Sequence, residues 1–312
     1  MLMINKLFFI LSFVFIINIL ARPIHFPENA NFIPSYPYIS GCTWRLQADF
    51  IHDSRISFNP NDVQSGDLIF VIVDLIGDFF ENFHPKIKHP YILLVHHFFG
   101  ESDSPVPSIW APFLDDPKLI AWFAYNPDIE HPKLHPLPLG IPNEYNTFGK
   151  KVVYDTCIPK LRSKIPTKLC YLNYSFHTPS QKEVKDERLF LYKKFKNEDF
   201  CTCLTKRIST QEYLKHISDH RFVFSPRGNG LDTFRTWETL LMKRFPIVKD
   251  STLNSLYKDL PVVIINDWNE ISKEFLEKKY NELAFKTDYK WEKLYMPYWI
   301  EKIKKIQKKY RI

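Results

Sequence analysis

Between Phe222 and Asp267, three short apolar runs alternate with two stretches of helical character. The order is FVFS, then Leu231 to Lys243, then FPIVK, then Leu253 to Asp259, then PVVIIND. The strand-like runs are continuously apolar, which belongs to strands covered on both faces. Strands joined through helices by short links close as parallel pairs with right-handed crossovers. This region therefore predicts a parallel sheet, with a further helix from about Ile271.

The same grammar occurs upstream. LIFVIVD after Gly66-Asp67, YILLVHH (Tyr91 to His97), LIAWFAYN (Leu119 to Asn126) and LHPLPLG (Leu134 to Gly140) read as strands spaced widely enough for crossovers. KLCYLNYS (Lys168 to Ser175) begins a second group. A charged helix follows at about Pro179 to Asn197, and then a short helix through Ile217 with Thr210 as expected cap and Glu212 in its first turn. The polar residues 145–165 read as an interdomain connection. At 312 residues the chain can hold two domains of ordinary size. The expected fold class is α/β, with parallel-sheet domains at 23–160 and 161–286 and a terminal helix with a basic tail at 287–312. The 23 prolines, concentrated between Arg22 and Pro179, suit short strands and stiff turns in the first half.

The net charge of +7 does not point to nucleic acid. Lys302, Lys304, Lys305, Lys308, Lys309 and Arg311 supply six of those charges within the last eleven residues, leaving the rest of the chain nearly neutral. No basic face interleaved with aromatics accompanies them. At the other end, LFFILSFVFIINILA (Leu7 to Ala21) is an uncharged run behind Lys6. It is shorter than the roughly 20 residues that comfortably span a bilayer and matches a signal-peptide core. Ala21 suits the −1 cleavage position, whereas Ile19 fits the −3 position poorly. Residues 1–22 thus read as a signal peptide or a short uncleaved membrane anchor, with a buried core strand as the remaining alternative. The first two readings place the body in the secretory pathway or another extracytoplasmic compartment: secreted if cleaved, Golgi-type lumen if anchored. Five cysteines, Cys42, Cys157, Cys170, Cys201 and Cys203, suit that route and predict one or two structural disulfides. Asn173-Tyr-Ser175 is an N-glycosylation acceptor pattern.

The loop after FVFS, Pro226-Arg-Gly-Asn-Gly230, lies where open α/β sheets bind ligands, beyond a strand's carboxyl end. Gly228 and Gly230 are expected to let backbone N–H groups approach a ligand, and the next helix turns its positive end toward the same place. Asp232 or Thr233 is the expected cap. The loop is neither a Walker A nor a GxGxxG motif. Arg227 and Arg235 bracket it instead, and guanidinium holds a diphosphate bidentately without a metal. Glu238, three residues after Arg235, shares its helix face and could accept ribose hydroxyls. The alternative is a helix-surface Arg235–Glu238 pair beside an ordinary turn.

SPRGNG…DTFRTWETLLMKRFPIVK, over Ser225 to Lys249, resembles the C-terminal motif of the exostosin-like glycosyltransferases, family 47. That motif has a strand ending in PRG, an R-x-x-E helix and a Gly-Cys-x-Pro-Val strand start, where this chain has Arg244-Phe245 before Pro246. The resemblance implies a GT-B fold: two Rossmann-like domains with parallel sheets facing a cleft, the first on the acceptor side and the second binding the nucleotide-sugar. It implies transfer of a hexose or pentose, from a uridine diphosphate sugar in particular, to a glycan or glycoconjugate acceptor. Ser225, Arg227, Gly228, Asn229, Gly230 and Asp232 would line the donor site, Arg235 would neutralise the leaving diphosphate, and Glu238 would bind ribose. The terminal helix carrying Trp291, Tyr298 and Trp299 would brace the first domain, core packing being its plainer role. No cofactor or metal is expected, since no Asp-x-Asp occurs. His97 is the candidate base, with His96, Glu101, Asp103 and Glu144 as alternatives. A non-catalytic sugar- or nucleotide-binding relative is the competing reading. A phosphate-ester hydrolase is disfavoured by the lack of a metal-ligand cluster.

Overall fold

The computed structural model describes residues 32–96, 108–176 and 181–311. The leader at 1–22 and His97, Glu101 and Asp103 lie outside the described residues. Residues Ile33–Ile312 form one unit that contains two parallel five-stranded sheets.

The first sheet runs in chain order: β1 (Phe50–His52), β2 (Asp67–Ile72), β3 (Tyr91–His96), β4 (Leu119–Tyr125) and β5 (Leu134–Leu137). Every residue of β2 and β3 is buried, as their unbroken apolar character requires. Sequential order with one crossover hand places the connections on one face, so the other face must be covered separately. On the crossover face, Phe80 stacks on Phe113 at 4.2 Å and meets Trp122 of β4 at 5.4 Å. On the opposite face, Trp44 of α1 (Gly41–Arg45) contacts His96 and, at 6.3 Å, Trp299. The C-terminal helix supplying Trp299 therefore lies on the first sheet. Arg311 at its end pairs with Asp49 and Asp67, and Gln307 Nε2 donates to Gly66 O at 3.1 Å. Arg311 is thus pinned by ion pairs, unlike a freely solvated tail cation.

The second sheet is ordered β10-β9-β8-β6-β7, with β6 at Lys168–Leu172, β7 at Cys201–Cys203, β8 at His220–Phe224, β9 at Phe245–Lys249 and β10 at Val263–Ile265. The chain steps outward from β6 to β7, then returns past β6 to β8 and continues the other way. This reversal makes a switch point between β6 and β8. Phe222 and Phe224 pack with Phe195, Trp268 and Tyr280 on one face, and Tyr171 stacks with His216 and His220 on the other.

Several expectations change. Residues 145–165 contain α2 (Lys151–Leu161), which packs against α4 (Thr210–Asp219) of the second domain. Tyr154, Cys157 and Ile158, at i, i+3 and i+4, give α2 a buried stripe. The polar connection is thus a packed helix. α3 spans Lys182–Phe195, α5 Phe234–Leu241, α6 Asn254–Tyr257, α7 Lys273–Ala284 and α8 Met296–Gln307. Ser209, not Thr210, caps α4, in a capping box with Glu212. β1 and β7, three residues each, are strands that the sequence pattern did not reveal. The expected disulfides are absent: all five cysteines are free thiols. The hydrogen-bonded sulfurs of Cys201 and Cys203 are 3.6 Å apart on one strand, a contact well beyond bonding length. Among the described residues, no helix is long and apolar enough to cross a membrane.

Candidate functional site

At the carboxyl ends of β6 and β8, Asn173 to Ser175 and Ser225 to Gly230 leave the switch point. Parallel strands whose connections diverge to opposite sides leave a crevice there. Arginines approach it from three elements. Arg227 comes from the loop, with Nη2 donating to Asn229 O at 3.1 Å and Gln181 Oε1 at 3.2 Å. Arg235 comes from the first turn of α5, with Nε donating to Asn173 O at 3.0 Å. Arg188 comes from the second turn of α3, with Nε donating to Arg227 O at 3.0 Å and Nη1 to Ser175 O at 2.7 Å. Tyr174 gathers two of them: the Arg188 and Arg235 guanidinium carbons lie 5.4 and 5.6 Å from its ring centroid. Arg188 was not singled out from the sequence.

Three buried polar atoms here have no hydrogen-bond partner: Ser225 Oγ, Arg227 Nε and Arg235 Nη1. Such groups carry a desolvation penalty unless a ligand or water meets them. Among the described residues, no carboxylate forms a salt bridge to Arg188, Arg227 or Arg235. Burial, reinforced by the neighbouring Arg235 charge, pushes the Arg188 guanidinium down to about 9. The site therefore gathers three guanidinium charges with no salt-bridged carboxylate among them.

The glycines act differently from expectation. Neither Gly228 nor Gly230 has positive φ, and the Gly228 N–H donates to Gly230 O at 3.1 Å, so it closes the loop on itself. Gly228 lies over Arg188, whose Nη2 is 3.4 Å from where a Cβ would stand, an ordinary contact distance.

The acidic residues of the motif face the other domain. Asp232 is buried: Oδ2 accepts from Leu139 N at 2.9 Å and Trp237 Nε1 at 2.6 Å, while Oδ1 accepts from Thr233 N and the Tyr257 hydroxyl. Its own N–H donates to Asn126 Oδ1 at 2.7 Å. Leu139 and Asn126 follow β5 and β4, so Asp232 fastens the carboxyl edges of the two sheets together. Thr233 occupies the α5 cap position, and no side chain caps that helix. Glu238 is also buried, and its Oε1 accepts from the Tyr154 hydroxyl of α2 at 2.7 Å. Burial raises its pKa against the opposing pulls of Tyr154 and Arg235. Asp232 is committed to protein donors through both oxygens, whereas Glu238 is tied to Tyr154 through Oε1 and still feels the Arg235 charge.

The remaining candidates are dispersed. His96 is buried under Trp44 and Tyr125, with Nε2 3.3 Å from Pro138 O. Glu144 accepts from Lys151 N at the start of α2. Asn173 Nδ2 donates to Leu204 O at 2.9 Å, which draws the glycosylation pattern into the fold. Among the described residues, no group of three or more His, Cys, Asp or Glu side chains is placed to hold a metal ion. A surface depression of about 310 Å³, lined by Lys194, Phe200, Ile271 and Lys273 among others, lies at the amino end of β7, away from the arginines.

No protein-family model and no curated protein matches the chain. Among solved structures it is similar to a GtfA/B complex at 11% identity and a TM-score of 0.38, over 79% of this chain and 58% of that one. The catalytic domain of starch synthase IV from Arabidopsis thaliana, bound to ADP and acarbose, matches at 10% identity and a TM-score of 0.39. That match covers 78% of this chain and 72% of that one. TarM matches at 12% identity and a TM-score of 0.38, over 77% and 54%. The chain thus spans little more than half the length of two of these three structures.

Proposed function

We propose that this protein is a glycosyltransferase of GT-B type that binds a nucleotide-sugar, a uridine diphosphate sugar in particular, at the switch point of its second sheet. The carrying observation is the set of unpartnered buried atoms Ser225 Oγ, Arg227 Nε and Arg235 Nη1 around an arginine cluster to which none of the described carboxylates forms a salt bridge. The resemblance of Ser225 to Lys249 to the exostosin-like motif supports the same reading.

In this mechanism the acceptor hydroxyl oxygen forms a bond to the anomeric carbon as the bond from that carbon to the diphosphate oxygen breaks, and the hydroxyl proton passes to the departing diphosphate or to solvent. The departing diphosphate takes the electron pair, and Arg227 and Arg235 stabilise its charge by preorganised donors. That electrostatic role is one a divalent cation could otherwise fill, so donor binding is expected without added metal. The acceptor is a glycan or glycoconjugate carrying a free hydroxyl. Asp232 and Glu238 are assigned to the seam between the domains, and none of the described residues is assigned as base.

Calorimetry of the full chain against common nucleotide-sugars, with nucleotide release as the turnover readout, tests the reading. A uridine diphosphate sugar should bind without metal, and Arg235→Ala should weaken it by roughly 100-fold, the scale of lost charge-assisted hydrogen bonds. Unchanged binding in that variant would overturn the site. Binding without nucleotide release across a panel of acceptors would favour the non-catalytic relative.

A further inference from the structure

We infer that Arg188 is a positioning residue that holds the Ser225–Gly230 loop from behind and, as the third guanidinium of the cluster, makes the site select a diphosphate over a single phosphate. The inference deepens the proposed donor site and rests on it.

Arg188 projects from a helix whose other charged residues are mostly exposed, yet it is only 5% exposed itself. A cation so placed ordinarily pairs with a carboxylate, because its desolvation must be offset. Arg188 instead spans two backbone carbonyls, Arg227 O on the loop after β8 and Ser175 O on the loop after β6. One planar fork thus ties together both loops that leave the switch point, a geometry that lysine cannot reproduce. The Tyr174 hydroxyl donates back to Arg188 O at 2.9 Å, anchoring the helix turn that presents it. The third nitrogen, Nη2, sits beneath Gly228, 3.4 Å from where a Cβ would stand.

The cluster therefore holds Arg188 and Arg235 around one tyrosine ring, with Arg227 held through its own carbonyl. Like charges crowded with no salt-bridged carboxylate repel, and a ligand relieves that repulsion in proportion to its own charge. Pyrophosphate, more highly charged than phosphate and presenting two phosphoryl groups, should benefit more from a third guanidinium.

The test uses the full chain with inorganic pyrophosphate, inorganic phosphate and uridine diphosphate as probes. The wild type should bind pyrophosphate tighter than phosphate. Arg188→Gln, which removes the charge, should weaken pyrophosphate by roughly 10- to 100-fold and shrink the preference over phosphate. Arg188→Lys keeps the charge and breaks the two-carbonyl bridge. It should weaken pyrophosphate less, by about 3- to 10-fold, and largely keep the preference. It answers for the positioning role if the glutamine variant does not fold. Wild-type pyrophosphate affinity in a folded variant overturns the inference, as does an equal loss for both anions in Arg188→Gln. Pyrophosphate bound no more weakly than uridine diphosphate would instead sink the nucleotide-sugar reading and leave Arg188 in place. A wild type that binds none of the three overturns both.

Discussion

The two sheets have equal strand numbers and the same parallel sense, but they are wound differently. The first is sequential from β1 to β5, and the second reverses between β6 and β8. A sequential sheet sends each connection over the same face, so no crevice opens between neighbouring strand ends. The carboxyl ends of its β4 and β5 are occupied by protein: Asn126 and Leu139 bond to Asp232. In the second sheet the loops after β6 and β8 diverge, and arginines with unpartnered nitrogens fill the gap. Winding order, more than composition, separates the closed edge from the charged one.

Glycine substitutions should separate the two edges most strongly. Gly140, after β5, has φ of 75°, and a Cβ there would stand 2.1 Å from Ile39 O. Backbone cannot yield by that much, and the left-handed conformation adds strain. Gly140→Ala should destabilise the protein by about 3–5 kcal/mol in denaturant unfolding. Gly228→Ala, in the loop where glycine was expected to matter most, meets only an ordinary contact with the Arg188 guanidinium. It should lie within about 1 kcal/mol of wild type and perturb anion binding instead. Equal losses in the two variants would erase the distinction between a closed edge built on backbone fit and an open one built on side chains.

Asp232 ties the edges together, and its removal should rank second. An asparagine presents one acceptor oxygen and one donor group to a set of N–H and O–H donors, leaving at least one unmet. Asp232→Asn should therefore lose about 1–3 kcal/mol at neutral pH. Burial pushes the Asp232 carboxyl up to about 6, outweighing the bonds from Leu139, Trp237, Thr233 and Tyr257 that pull it down. A raised folded pKa means that the folded state binds the proton more tightly. This contribution to stability is whole below the usual 3.8 and is lost as pH rises through about 6. The gap between wild type and Asp232→Asn should be widest below about pH 4 and narrow toward pH 7. His135 and His220, each lowered by burial to about 4, titrate in the opposite sense, so the difference between variants is the quantity to follow. A gap that widens with pH would mean that the four donors hold the carboxylate ionised.

The largely buried strands β2, β3, β4 and β8 and the β-α-β-α-β order of the second domain were legible because burial on both faces writes itself into composition. β1 and β7 were not, since three residues carry no period. Arg188 was hidden for a related reason: on a charged helix it looks solvated, and only the positions of Ser175 O and Arg227 O bury it. The roles of Asp232 and Glu238 depend on Leu139 and Tyr154, which the sequence places far away and the fold brings to hydrogen-bond distance. Local motif reading finds the loop and its arginines, but it cannot tell a carboxylate that meets a ligand from one that meets another domain.

Tyr154 provides the finest division of that kind. Its hydroxyl lies 2.7 Å from Glu238 Oε1 and 3.1 Å from Phe148 O, fully buried between α2 and α5. Tyr154→Phe preserves the ring and its packing while removing the donor. The buried Glu238 carboxyl, already raised by burial, can then take up a proton and need not remain an unpaired anion. The expected loss is about 1 kcal/mol, near the net worth of one hydrogen bond. If Glu238 belongs to the seam, affinity for uridine diphosphate relative to pyrophosphate should stay unchanged, because no ligand contact is altered. A gain in that ratio would mean that Tyr154 had been competing with ribose hydroxyls for the carboxylate. Glu238 would then move from the seam to the site, and the boundary between the two edges would run through α5 itself.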